Sequence, residues 1–359
     1  MSRTERKRGS LIVLSVLFFV VYFFVAALPL GKELSFAPQW ALSTAVDRQP
    51  DPSKPSPVGD YRLFSMGSRA GYYTVDGDVP LSFDNSSRRA ISTSFYQVPA
   101  SASGSTQFTN LDGKRQFSAQ VNGQPQFKAD RLFFFNPDNT GVSEVTASGA
   151  VAWHREFNSP LTVFDANKDE FLCGSLGGDL SFVSAKGEPI FNFSPGGSRL
   201  PVILGVALSQ DGSLAASVSG IDPERFLLYE RKAQGYKVVY HQNLDSDLRR
   251  HLPLKISSDN RFVLFEQADS LSIFDRRTRA MGKVPTRGRL KSIITDGPRG
   301  LVCLLTVGGE GAHLIAMKPL DTVVMDVAFP GSTFFADVAG DSIFVGVDGR
   351  LARIDVKEE

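Results

Sequence analysis

The sequence predicts an all-β protein, a seven-bladed β-propeller preceded by one N-terminal transmembrane helix. Three observations predict it. Residues 11–30 form an uncharged apolar run behind a basic tail. Beyond residue 60, short alternating stretches are broken by Gly, Asp, Asn and Pro, with no sustained 3.6-residue period, the pattern of many short strands. One strand–turn–strand unit then recurs seven times at close to the spacing of a propeller blade.

Residues 1–10 form a basic tail, with Arg3, Arg6, Lys7 and Arg8 against Glu5. Residues 11–30, LIVLSVLFFVVYFFVAALPL, carry no charge, and about 20 helical residues cross a ~30 Å hydrocarbon core. The basic flank favours the cytoplasmic side. The expected topology is therefore single-pass in a cytoplasmic membrane, N terminus inside and propeller outside, periplasmic in a bacterium. The competing reading is a secretory signal cleaved near Ala27, since Val25-Ala26-Ala27 offers small residues at the usual positions. No cysteine lies just after the run for lipid attachment. Residues 31–60 read as a linker. Its second half, AVDRQPDPSKPSPVGD, holds four prolines and reads as a stiff spacer.

Residues 61–359 are expected to form the propeller. The seven units begin at Val79, Gln124, Pro160, Gly205, Pro253, Lys291 and Phe334. Their turns fall at Asp84, Asp130, Asp169, Asp211, Asp259, Pro298 and Asp341, with steps clustering near the ~40–45 residues of a four-stranded blade. Such sheets stack radially because one small twisted sheet cannot cover both of its apolar faces. Seven units predict seven blades, with six or eight as the neighbouring counts. The seventh unit leaves residues 349–356 for one more strand. Either Tyr61–Ser65 or Gly71–Val75 is expected to pair with it and close the ring, leaving residues 1–58 outside. Cys173 and Cys303 fall in the second strands of two different units, each flanked by apolar residues, and are expected to be free and buried.

The turns LDGKRQF, ASGAVAW and AKGEPIF look like the x-G-x-x-x-aromatic tails of quinoprotein-type repeats. On these, residues 61–359 resemble the WD40-like and quinoprotein-like propeller superfamily. The Gly-His and Trp-Asp signatures of WD40 repeats are absent, and the tail Trp occurs once, at Trp153. The resemblance therefore implies a fold and no functional residues.

Thirty-nine basic residues against 38 acidic ones give no clustered basic excess, so a nucleic-acid partner is not expected. Four scattered histidines have no metal-ligand spacing, and no cofactor is expected. The Gly pairs at 177–178, 196–197 and 308–309 lack the Lys-Ser/Thr and helix of a phosphate loop. No G-x-S-x-G elbow occurs. Acid pairs Asp222/Glu224 and Asp245/Asp247 read as solvated loops, and Asp275-Arg276-Arg277 as a solvated turn tip. Recognition is expected instead from loops on the rigid ring. The candidates are Arg199, Asp222, Glu224, Arg225, Asp245, Asp247, Arg249, Arg250, His251, Glu310 and His313. The leading reading is a membrane-anchored, non-catalytic module for protein interaction or envelope assembly, with an unidentified protein or envelope partner. Its alternatives are a hydrolase or lyase acting on an envelope glycan or peptide, and a small-molecule sensor.

Overall fold

The computed structural model describes residue 18 and residues 33–48, 61–99, 105–320 and 322–358. Short apolar–polar alternations with Gly- and Asp-rich turns produce antiparallel strands here, grouped in eight sheets. The chain enters through β1 (Leu34–Ser43). Blade 1 holds β2 (Arg62–Met66), β3 (Arg69–Tyr73) and β4 (Leu81–Asp84). Blade 2 holds β5 (Tyr96–Gln97), β6 (Thr106–Thr109) and β7 (Gln116–Ala119). Blade 3 comprises β8 (Gln124–Lys128), β9 (Arg131–Phe135), β10 (Gly141–Val145) and β11 (Val151–Glu156). Blade 4 comprises β12 (Leu161–Ala166), β13 (Glu170–Ser175), β14 (Leu180–Ser184) and β15 (Pro189–Phe193).

Blade 5 has the long strands β16 (Leu200–Leu208), β17 (Leu214–Ile221), β18 (Glu224–Lys232) and β19 (Gly235–Leu244). Blade 6 has β20 (Leu254–Ile256), β21 (Phe262–Gln267), β22 (Ser270–Asp275) and β23 (Ala280–Pro285). Blade 7 has β24 (Arg289–Ile294), β25 (Val302–Gly308), β26 (Gly311–Lys318) and β27 (Thr322–Phe329). Blade 8 has β28 (Phe334–Ala339), β29 (Ser342–Val347) and β30 (Arg350–Glu358), and β1 pairs with β30 as its fourth strand.

The core is divided among the blade interfaces. Aromatic rings fill three successive ones: Phe133 and Phe171 at 4.9 Å between blades 3 and 4, Phe182 and Tyr236 at 4.3 Å between 4 and 5, Phe226 and Phe265 at 4.7 Å between 5 and 6. Aliphatic side chains such as Leu264, Ile273, Leu290 and Leu304 fill the next. Phe64 and Tyr73 of blade 1 pack with Phe344 and Leu351 of blade 8, so the ring closes. Charged groups tie the same seam, where Asp337 of blade 8 accepts two hydrogen bonds from Arg62 at 2.6 and 2.7 Å and one from Tyr73 at 2.8 Å.

The ring has eight blades where the repeat spacing predicts seven. Six of the seven units are correct inner hairpins, from β8–β9 through β28–β29. The unit at Val79 is not one. Its first strand is β4, the third strand of blade 1, and its second half runs into blade 2. Both blades borrow or shorten a strand, so the two blades, from Arg62 to Ala119, occupy only about one and a half regular repeats. In blade 2 the innermost position shrinks to a single bridge, Ile91 to Tyr96. In blade 1 the fourth position is taken by Arg48, which bridges to Ser82 with backbone bonds of 2.8 and 3.2 Å.

Closure also differs in its partner. The strand that pairs with β30 is β1, inside the segment expected to be linker, and β2 and β3 belong to blade 1. Between its two tasks the incoming segment is pinned at the buried Thr44. The Thr44 N–H donates to the Gly349 carbonyl at 2.7 Å, and the Thr44 carbonyl accepts from the Ser82 hydroxyl at 2.8 Å. One segment thus completes blade 8 and then edges blade 1, covering strand edges that would otherwise be open.

The expected membrane helix over residues 11–30 lies outside the described residues except for Phe18. Among the described residues no helix is long and apolar enough to cross a membrane. The expected single-pass anchor, and the placement of the ring outside a cytoplasmic membrane that depended on it, are therefore not supported. The cysteines are free and buried, in β13 and β25, the second strands of blades 4 and 7.

Candidate functional site

In each blade the first-to-second and third-to-fourth strand turns share one end of the ring. The second-to-third turns and the inter-blade connections share the other. Hydrogen bonds align neighbouring blades at the first end: Asn167 Nδ2 donates to Ser209 O at 3.0 Å, and Asn260 Nδ2 to Asp211 Oδ2 at 2.8 Å. The extra length of blade 5 therefore projects at the other end. Its innermost strand has 9 residues against 6 in blade 4, a difference of about 10 Å at ~3.3 Å per residue.

Two loops are locked together on this projecting rim. Arg225 donates to the carbonyls of Pro195 and Gly196 at 3.0 and 2.6 Å. Ser198 Oγ donates to Pro223 O at 2.6 Å, and Arg199 pairs with Asp222 at 3.1 Å. Next to them, Gly178 (φ +89°) presses on the start of β16, where a Cβ would stand 1.7 Å from the Pro201 carbonyl oxygen. The loop of Gly178 and the start of β16 expose Leu176 and Leu200, at 56% and 46%. Blades 4 and 5 thus present one large apolar side chain each, Leu176 and Leu200, beside a fixed, charged loop pair.

A second feature lies on the ring axis. The inner strands of blades 3 to 7 surround a cavity of about 810 Å³ at the first-turn end, lined among others by Lys128, Asp165, Lys255 and Asp296. A further 510 Å³ toward the rim is bounded by Lys128, Thr162 and His251. Lys128 pairs with Asp165 at 2.8 Å, and the second Asp165 oxygen accepts the Leu208 N–H at 2.9 Å. Lys255 is exposed to solvent yet ringed by protein, as a side chain inside a wet channel is. The positive charge of Lys128 is the main force holding its ammonium below the usual lysine range, followed by burial, against Asp165 and Asp296. His251 is also held below its ordinary value, by burial first and then by Arg289 and Arg250.

The structure gathers Arg199, Asp222 and Arg225 on the blade 5 rim and disperses the other sequence candidates. Glu224 is fully buried rather than solvated. The Ser246 hydroxyl and the Leu248 amide approach its carboxyl without closing a hydrogen bond. Burial, the largest cause, and the neighbouring Asp247 raise its pKa. Asp245, Asp247 and Arg249 lie in the connection from blade 5 to blade 6. Arg250 turns inward to the buried Glu266, with bonds of 2.7 and 2.8 Å, and His251 faces the axial cavity. Glu310 and His313 line a separate hollow on blade 7, where His313 meets Asp326 at 2.8 Å. Asp275 is also buried, paired with Arg261 at 2.9 Å. Sequence reasoning missed Lys128, Asp165 and Lys255. The available signal was a charged residue inside an otherwise apolar innermost strand, as in QPQFK and PLKIS. Among the described residues, no three His, Cys, Asp or Glu side chains group closely enough to hold a metal ion.

Eight radial sheets joined in sequence around a wet axis define a β-propeller. The chain belongs to the beta-propeller protein family, whose family model matches residues 1–359. It is 29% identical over 360 residues to an uncharacterized protein of Treponema pallidum (strain Nichols), covering 99% of this chain and 96% of that one. Among solved structures it is similar to BamB from Moraxella catarrhalis, with a TM-score of 0.60 and 11% identity over 89% of this chain and all of the other. A chain of the mitotic checkpoint complex matches with a TM-score of 0.55 and 11% identity, over 75% of this chain and 90% of that one. At these identities the structural matches describe the fold.

Proposed function

We propose that the protein is a non-catalytic interaction module that receives a protein partner on the projecting rim of blade 5. The observation that carries this reading is the pre-set surface there. Arg225 and Ser198 hold two loops in one arrangement, and Leu176 and Leu200 stand exposed beside them. Exposed apolar side chains next to ordered charge favour protein contact, because ordering cost is already met and water leaves the apolar surface on docking. One of the similarly folded chains is part of the mitotic checkpoint complex, which is consistent with such a role.

A photo-crosslinking amino acid placed at Leu200 in the native host tests the proposal. The control position is Arg277, in an exposed turn at the opposite end of the ring. A discrete adduct from position 200, absent from 277 and weakened by Arg225→Glu, is the expected result. Equal labelling from both positions, or none from 200, would refute the assignment.

A further inference from the structure

The axial cavity is chemically distinct from the blade 5 rim, and its inference stands independently of the docking proposal. Its wall carries acids as well as amines, and the two are not equally satisfied. Asp130 accepts from Thr93 at 2.7 Å, and Asp296 from Ser258 at 2.5 Å. Asp211 is held by Ser209, Ser213 and Asn260. Asp165 divides its oxygens between Lys128 and the Leu208 amide. Toward the rim, Glu266 is used by Arg250 and by the Leu290 N–H at 2.7 Å.

The positive groups are less well matched. The Lys255 ammonium has no hydrogen bond or ion pair among the described residues, and Lys128 is the charge that acts on it most strongly. His251 likewise feels Arg289, Arg250 and Lys128 against a single acid, Glu266. Two lysines from blades 3 and 6 thus converge on the axis, opposed by Asp165, which is ion-paired to Lys128, and by Asp296. Enclosed ammonium groups that repel one another are stabilised by any anion able to reach both.

We infer that the axial cavity is a binding site for a small oxyanionic ligand, its carboxylate or phosphate group held between Lys255 and Lys128. Asp165 keeps Lys128 directed to the site, and His251 adds a donor on the rim side. A volume near 810 Å³ suits a metabolite-sized ligand. The engaged aspartates at the first-turn mouth disfavour ligands carrying negative charge along their whole length, so the anionic group enters and a neutral or cationic remainder faces that mouth.

Reductive ¹³C-methylation of the purified full chain, which keeps the lysine charge, makes Lys255 visible by NMR, with Lys255→Arg assigning the resonance. Inorganic phosphate and acetate are titrated separately, each against chloride at matched ionic strength. The expected result is a saturable shift of the Lys255 resonance with at least one of them. By calorimetry, Lys255→Gln weakens that binding at least tenfold, while Lys255→Arg retains most of it. Saturation by phosphate alone assigns a phosphate ligand, by acetate alone a carboxylate, and by both a site that reads charge. Shifts no larger than those with chloride, or unchanged binding in a folded Lys255→Gln protein, overturn the inference.

Discussion

Trp40 is the side chain through which closure of the ring can be weighed. It lies half-buried in β1, its ring centroid 5.9 Å from that of Phe344, and its indole N–H donates to the Val75 carbonyl at 3.1 Å. Gly77, at φ +94°, leaves room for the indole, since a Cβ there would come to 3.1 Å from it. Truncating a fully buried Trp to Ala costs about 3–5 kcal/mol, and half-burial reduces this to about 2 kcal/mol. Loss of the indole hydrogen bond adds about 1 kcal/mol. Trp40→Ala should therefore destabilise the ring by about 3 kcal/mol. At about 2 °C per kcal/mol for a large domain, the melting temperature should fall by roughly 6 °C. Trp40→Phe keeps a ring against Phe344 and should fall by about 2 °C. Differential scanning calorimetry of the purified full chain reads both. If Trp40→Ala melts within about 1 °C of the parent, β1 is not energetically part of the ring and this account of closure is wrong.

Three further outcomes are expected. Burial pushes the Asp211 carboxyl up, but hydrogen bonds from Ser213, Ser209 and Asn260 outweigh it and hold its pKa at about 2, below the ordinary 3.8. Its stabilising contribution is thus complete above the ordinary value and lost as pH falls toward 2, and a carboxyl NMR titration with a midpoint near 3.8 would contradict this. Glu224 has the opposite sign: its folded-state pKa lies above the ordinary 4.5, so ionising it costs stability as pH rises beyond that value. Glu224→Gln should raise the melting temperature at pH 8 and leave it nearly unchanged at pH 4; a lower melting temperature at pH 8 counts against the account. Burial raises both thiols, Cys303 to about 12 and Cys173 further still. Neither should react with a thiol reagent in the native protein and both should on denaturation, and rapid native labelling would show that blade 4 or blade 7 opens.

Much of the ring was legible because a regular blade repeats its inner hairpin at a nearly constant interval. All three predicted outer turns, at residues 111–117, 147–153 and 185–191, connect the third and fourth strands of blades 2, 3 and 4. The count failed where this regularity does. Blade 2 contributes only a bridge at its innermost position, and blade 1 takes its outer edge from residues far upstream. A local spacing rule cannot register a strand supplied from elsewhere in the chain. The signal for β1 was nonetheless present, since Leu34, Phe36, Trp40 and Leu42 alternate with small or polar residues, and only the bulge between Pro38 and Trp40 interrupts the pairing. The proline-rich residues downstream had extended the linker reading over it. The exposed charges on the blade 5 rim were readable as loop residues. The buried state of Glu224 and the meeting of Lys128 with Lys255 were not, because both depend on which blades face each other across the ring.

The pairing of β1 with β30 also sets a timetable. Thr44 and its partner Gly349 are 305 residues apart. At ~5–20 residues per second of synthesis, β1 waits roughly 15 to 60 s for the strand it belongs beside. Through that interval blade 8 does not exist, blade 1 has no closing neighbour, and an apolar strand with open backbone groups is available to other chains. Blades 3 to 7, whose strands are consecutive, can assemble meanwhile as an open arc. Only β30 converts that arc into a ring, so a chain whose synthesis halts before β30, or that a protease cuts ahead of it, keeps every earlier blade and stays open.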